Sequence, residues 1–258
     1  MLADQRIEAP SWRTRDAHAM VRRMFCRYVL RTTDAAAGRA FYAKALDFEL
    51  PDGRASGTVL EAWPLHEQAR AAGAPSHWLG QIEVDDVGST VSRIVALGGQ
   101  PLGPTMQLPE GAALATLRDP FGTVIGVRGR SSRASNAPVA WHQLHTTDAD
   151  GAWKLYQELF GWAHNSMVEA PGIPGEVRLF AWLDGGPTVG GMGNSARLPG
   201  VHPHWLYFFP VDDIERATAE VRAHGGTAMA PIALPSGLQL AACEDPQRAA
   251  FGLAQLPG

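Results

Sequence analysis

The sequence predicts an α+β protein built as a tandem duplication of a βαβββ-βαβββ module, each copy a curved sheet forming a cup with helices outside. Three observations predict it: the chain matches itself in three collinear blocks, each match holds strand–helix–strands units, and the helices carry caps where the pattern needs them. Shifting the chain by 114 residues lays Arg27 to Phe48 over Trp141 to Trp162 without a gap, with Thr32/Thr146, Thr33/Thr147, Asp34/Asp148 and Tyr42/Tyr156 coinciding. At 127, HWLGQIEVDDV (His77 to Val87) lies over HWLYFFPVDDI (His204 to Ile214), and Gly98-Gly99 falls on Gly225-Gly226. At 126, Asp119-Pro120 falls on Asp245-Pro246. The drift requires one longer segment in the second copy, placed around EAPGIPGE (Glu169 to Glu176).

In chain order, residues 1–23 match nothing in the second copy and are read as a tail. A first module is expected over 24–128, a linker over 129–138 (small, polar, ending in Pro138), and a second module over 139–258. Each module opens on a strand rich in β-formers that ends at Thr-Thr-Asp, with Asp34 and Asp148 as helix N-caps. The helices that follow space Ala37, Phe41 and Ala45, or Trp153, Tyr156, Leu159 and Phe160, for one buried face. TVLEAW (Thr58 to Trp63) and VRLFAWL (Val177 to Leu183) read as strands. A strand, Asp-Asp and a second helix come next, stopped by Gly-Gly, where glycine supplies a left-handed C-terminal residue.

Composition narrows the function. Hydrophobic residues are 45% and charged residues 19% of the chain, enough apolar content to fill a core. A net charge of −4 and a pI near 6.1 argue against a nucleic-acid partner. No run is long and apolar enough for a membrane span or a secretory signal. Two cysteines, Cys26 and Cys243, make no disulfide framework, so a cytoplasmic location is expected.

The order of these elements resembles the vicinal oxygen chelate superfamily of glyoxalases, bleomycin-resistance proteins and extradiol dioxygenases. The residues that carry the likeness are a strand ending in Asp, a helix with Phe-Tyr or Leu-Tyr, Leu-Asp-Phe or Phe-Gly-Trp, Val-Asp-Asp, Gly-Gly and Asp-Pro. Within it, Trp141 to Asp148 is similar to the opening strand of a poorly characterised two-module branch. The resemblance implies a cup holding a divalent metal at three places: seven residues before the first Asp, five before the Val of Val-Asp-Asp, and seven after the Asp of Asp-Pro. Those positions are Arg27, Leu79 and Gly126 in the first copy and Trp141, Leu206 and Gly252 in the second. None offers a metal donor, so neither a metal nor a cofactor is expected.

Strand alternation assigns what else shares each cup. In the first these are Arg27, Val29, Arg31, His77, Gln81, Glu83, Val124 and Arg128, a polar wall suited to an anionic or polyoxygenated molecule. In the second they are Trp141, Gln143, His145, His204, Leu206, Phe208, Ala250, Gly252 and Ala254. The small residues of the last strand are expected to leave room there. His145 and His204 are the acid–base candidates, since imidazole titrates near neutrality. The glycines of VGGMGNS lack a phosphate-loop ending and are expected at a flexible strand edge or a lid over the second cup. Three functions follow: a metal-free binder of a small metabolite or antibiotic-like ligand, an enzyme of the superfamily using atypical ligands or histidine acid–base chemistry, or a protein-interaction scaffold. The joined modules can supply within one chain the contact that single modules make by pairing, so a monomer or a homodimer is expected.

Overall fold

The computed structural model describes residues 23–51, 59–130, 139–234 and 236–257. The expected tail, Arg23 apart, and most of the expected linker lie outside the described residues. Gly129 belongs to a strand instead, closing the first module's last ladder opposite Val84.

The first module runs β1 (Phe25–Thr32), α1 (Ala35–Leu46), β2 (Leu60–Pro64), α2 (Glu67–Ala71), β3 (His77–Val84), α3 (Val87–Ala96), β4 (Gln100–Pro101), β5 (Met106–Gln107), β6 (Ala113–Arg118) and β7 (Val124–Gly129). The second runs β8 (Trp141–His145), α4 (Ala149–Phe160), β9 (Ala163–Glu169), β10 (Glu176–Ala181), β11 (Gly190–Gly193), a short 3-10 turn (Asn194–Arg197), β12 (His204–Pro210), α5 (Ile214–Ala223), β13 (Thr227–Ala228), β14 (Ile232–Ala233), β15 (Gln239–Glu244) and β16 (Ala250–Gln255). The first sheet is ordered β2-β1-β3-β7-β6-β4, with β5 on β6. The second repeats that order as β11-β8-β12-β16-β15-β13, adds β14 on β15, and extends beyond β11 through β10 and β9. The longer segment of the second copy is therefore the β9–β10 hairpin, whose turn contains Pro171 to Gly175.

The helix ends follow the sequence signals. Asp34, Asp86, Asp148 and Asp213 are all N-caps whose carboxylates accept from the amide three residues on. Gly98 and Gly225 sit at φ 96° and 86°, the left-handed conformation that stops α3 and α5. One face of α1 differs: Gly38, Phe41, Tyr42 and Ala45 are buried, while Ala37 is exposed in the first turn. At Gly38 a Cβ would stand 2.9 Å from Leu30 Cδ2, so the helix crosses its own strand closely there.

The two modules share one core. Tyr28 and His142 occupy equivalent places in the copies, 114 residues apart, and meet each other across the pseudo-twofold axis: the Tyr28 hydroxyl lies 2.6 Å from His142 Nε2. His142 Nδ1 faces the Val189 carbonyl at 2.9 Å, so Nδ1 carries the proton and Nε2 accepts from Tyr28. Gly80 and Tyr207 are also equivalents that meet, the Gly80 N–H donating to the Tyr207 hydroxyl at 3.0 Å. A Cβ on Gly80 would stand 2.3 Å from that oxygen, so the ring fills the space its counterpart leaves open. Two identical modules could not make this contact, because two tyrosines would clash and two glycines would leave a void.

Reciprocal polar clasps surround this axis. Trp78 Nε1 donates to Tyr42 Oη at 2.8 Å, and Tyr42 donates across the modules to Asp245 at 3.4 Å. Trp205 repeats this through Tyr156 at 3.0 Å, and Tyr156 donates to Asp119 at 3.0 Å. Each first helix is thus tied to the Asp-Pro turn of the other module. The second of these turns replaces glycine with Arg248, which takes φ 69° where Gly122 has φ 95°.

Candidate functional site

The outer faces of the two sheets form the cups, and the alternation of β1 and β3 holds: Tyr28, Leu30, Trp78 and Ile82 enter the shared core, while Arg27, Gln81 and Arg128 line the first cup. Two arginines and a glutamine are buried here: Arg27, Gln81 and Arg128 are 7%, 1% and 2% exposed. Arg27 Nη1 pairs with Glu61 Oε1 at 3.0 Å. Glu61 Oε2 also accepts from Trp63 Nε1 at 2.9 Å, and the Arg31 guanidinium lies 5.2 Å from the centre of the Trp63 ring. Arg128 reaches Gln81 Oε1 at 3.4 Å through Nη1 and pairs with Glu110 through Nη2. Glu83 stands opposite Arg128 in the register of β3 and β7.

Sequence reasoning misses Glu61, Trp63 and Glu110. Alternation in TVLEAW does place Glu61 and Trp63 on one face. What puts that face in the cup is the parallel pairing of β2 with β1, which sets Glu61 beside Val29 and Trp63 beside Arg31. Glu110 comes from a turn, where no periodicity speaks.

His77 stands opposite Arg31, and its Nδ1 faces the Pro75 carbonyl at 2.8 Å. Burial pushes the His77 pKa down, and the Arg31 charge pushes it further, against that hydrogen bond. The same geometry recurs at His204, whose Nδ1 faces the His202 carbonyl at 2.7 Å and which stands opposite His145. The second cup thus has a histidine pair where the first has an arginine and a histidine. The rings of His145 and His204 stack with centroids 4.7 Å apart and planes 22° from parallel. His145 Nδ1 contacts Ser195 Oγ at 2.5 Å. Burial first, and then the His204 charge, hold the His145 pKa at about 3, so the ring is neutral at neutral pH and takes up a proton only reluctantly.

The rest of the second cup closes on itself. Trp141, Leu206, Phe208, Leu238, Leu240 and Ala254 form a separate apolar cluster. The room expected at the last strand is taken up: a Cβ on Gly252 would lie 2.2 Å from the Phe208 ring, which occupies that space. Gln143 stays beneath Trp141, accepting from its indole N–H at 3.3 Å. A cleft of about 570 Å³, lined by Glu169 to Pro171 with Ala233 and Leu234, opens beside this cluster.

The glycine run is corrected by the structure. Gly190 to Gly193 form β11, a fully buried inner strand paired with β8 and β10, and neither an edge nor a lid. A side chain at Gly190 would meet the His142 carbonyl at 2.1 Å, while Val177 and Ile173 fill the cup side of Gly191 and Gly193. Glycine is there so that neighbours can approach the backbone.

The glyoxalase-like domain family matches residues 27–127, and the glyoxalase/bleomycin resistance protein/dioxygenase superfamily matches residues 139–252. The chain belongs to that superfamily. As a tandem superfamily member it is 29% identical over 243 residues to the candidate glyoxylase CFP32 of Mycobacterium tuberculosis, covering 87% of this chain and 91% of that one. It is 25% identical over 191 residues to the anthracycline biosynthesis protein DnrV of Streptomyces peucetius, covering 71% of this chain and 67% of the other. Its fold is that of a Mn(II)-bound glyoxalase from Novosphingobium aromaticivorans, at TM-score 0.60 and 13% identity over 90% of this chain and 82% of that one. It is equally that of 2,2',3-trihydroxybiphenyl 1,2-dioxygenase from Sphingomonas wittichii, at TM-score 0.61 and 11% identity over 91% of each chain.

A metal implied by this kinship finds no fitting donors at the expected places. Arg27 brings a cation and is paired with Glu61, Leu79 and Gly126 have no donor, and Trp141, Leu206 and Gly252 belong to or face an apolar cluster. Among the described residues, no three of His, Cys, Asp and Glu come together to hold an ion. No helix among them is long and apolar enough to cross a membrane, and both cysteines are free thiols.

Proposed function

We propose that this superfamily member binds a small organic molecule with polar or anionic groups in its first cup, without the metal triad of the family's enzymes. One observation carries the reading: among the described residues the two buried arginines, Arg27 and Arg128, are both in the first cup. Arg27, Gln81 and Arg128 are replaced in the second by Trp141, Phe208 and Ala254 at the equivalent places. Burying a charge costs several kcal/mol unless a partner compensates it, so a fold that only needed filling would use the second cup's residues in both. Arginine forks aimed into a concave sheet suit carboxylate or other oxygen-rich groups, and Trp63 adds an aromatic wall.

Calorimetric titration with a panel of metabolites tests this. At least one compound is expected to bind in a 1:1 ratio, to keep its affinity after chelator treatment, and to lose it in Arg31→Ala. Unchanged affinity of every bound compound in that variant would refute the assignment to the first cup.

A second reading, metal-free proton transfer by His145 and His204, is supported by their stacking and by the Ser195 contact. His204 Nδ1 faces a carbonyl, which leaves Nε2 as its lone-pair nitrogen. In that reading turnover would disappear in His145→Gln while binding to the first cup persists.

A further inference from the structure

The turn joining β5 and β6 sends a carboxylate into the first cup. Gly111 N–H donates to the Leu108 carbonyl at 2.8 Å and Leu108 N–H to the Ala112 carbonyl at 2.9 Å, closing a tight hairpin with Pro109 and Glu110 at its corner. Gly111 takes φ 83°, as such hairpins require. From this corner Glu110 pairs with Arg128. The Arg128 side chain is 3% exposed and that of Glu110 is 26% exposed, so the arginine is fixed and the glutamate is the partner at the opening. Arg128 Nε–H, although buried, has no hydrogen-bond partner among the described residues. An idle buried donor is costly, and beside a concave site it marks a place for an acceptor from outside.

We infer that Glu110 is a self-ligand: its carboxylate holds the position on Arg128 that a singly charged oxyanion of the bound molecule takes, and the ligand enters by displacing it. This rests on the first cup being the binding site and names the charge of what it binds.

Charge supports it. With Glu110 in place, Arg27, Arg31 and Arg128 face Glu61, Glu83 and Glu110, and the cup is neutral. Swinging Glu110 outward leaves one uncompensated positive charge, which one carboxylate restores. Burial raises the Glu110 pKa, but its backbone hydrogen bond and Arg128 outweigh that, with Arg27 adding to them, and the group is held below its ordinary value.

The duplication supplies an internal control. The second copy builds the same turn: Gly237 N–H donates to the Leu234 carbonyl at 2.9 Å, Leu234 N–H to the Leu238 carbonyl at 2.8 Å, and Gly237 has φ 82°. There Ser236 stands in place of Glu110 and Ala254 in place of Arg128. The turn folds without the glutamate, and the two charged members are absent together. Glu110 is therefore matched to Arg128 and is not needed to make the hairpin.

Benzoate and its neutral isostere benzamide test the inference, titrated against the full chain and Glu110→Ala while amide and indole NMR shifts are followed. Glu110→Ala alters an exposed corner, and its spectrum is expected to keep the folded dispersion. Benzoate is expected to bind the variant about tenfold more tightly than the unmodified chain, the loss of one charged competitor. Benzamide should bind both alike, and Arg128→Gln added to Glu110→Ala should abolish the benzoate gain. Equal benzoate affinity in both chains, or the same gain for both compounds, overturns the self-ligand. If that happens while a panel compound still needs Arg31, the cup reading survives alone. If neither compound shifts Trp63 in either chain and no panel compound needs Arg31, the self-ligand and the cup reading fail together.

Discussion

His142 is fully enclosed, with Tyr28 on one ring nitrogen and the Val189 carbonyl on the other. Its pKa is pushed down from 6.5 to about 4, by burial first and against the Val189 hydrogen bond. An unfolded chain takes up a proton at this histidine below pH 6.5 that the folded chain refuses until about pH 4. Folding stability therefore declines as the pH drops through that window and levels off below it. The full effect is about 3 kcal/mol, since each tenfold loss of proton affinity is worth about 1.4 kcal/mol. His145 acts in the same direction. Urea unfolding is expected to give a stability about 2 kcal/mol lower at pH 5 than at pH 7 from His142 alone. In His142→Gln the pH slope should shrink but persist, since His145, His77 and His204, all held below their ordinary values by burial, remain. That the two histidines point to opposite faces of β8 was legible from their spacing of three. That His142 would accept from its own counterpart in the other copy was not, because strand alternation says which face a residue takes and nothing of what lies beyond it.

Among elements, β11 shows how glycine hides a core strand. Hydropathy alternation needs side chains, and Gly190, Gly191 and Gly193 have none, so the segment reads as a flexible strand edge or a lid. Its place is set by pairing, parallel with β8 and antiparallel with β10. Gly190→Ala would drive a methyl group against the His142 carbonyl and the Phe180 ring. Backbone cannot yield as a flexible side chain does, so a loss of about 3 kcal/mol or more is expected, read as a lower thermal midpoint. The N-caps Asp34 and Asp148 were legible, since a cap is a local contact over three residues. The second cup's interior was half legible: alternation named Phe208 and Gly252 as neighbours in one cup. Only the register of β12 with β16, which sets the two side by side, lays the ring over the glycine.

At the scale of the molecule, the modules are halves of one body. A single hydrophobic cluster runs from Phe25 and Tyr28 to Tyr207 and Phe209, and the Tyr42–Asp245 and Tyr156–Asp119 clasps cross it in both directions. A module made alone would expose the aromatic back of its sheet and leave the Tyr42 or Tyr156 hydroxyl proton without its acceptor. Residues 23–130 expressed alone are expected to show no cooperative unfolding by circular dichroism, and mixing them with residues 139–257 should restore it. The asymmetry at Gly80 and Tyr207 favours this pairing over either module with its own copy.

Chain order, caps, the doubling and the face each strand residue takes are written in the sequence, since all depend on contacts or periods within a few residues or on plain self-similarity. Which faces meet is decided by tertiary structure, because a strand's partner, direction and register are set by the global packing that minimises exposed apolar area. That is why the buried arginines could be named in advance, while Glu61, Trp63 and Glu110, which complete their charge and wall their cup, emerge only once β2 lies beside β1 and the β5–β6 turn folds over Arg128.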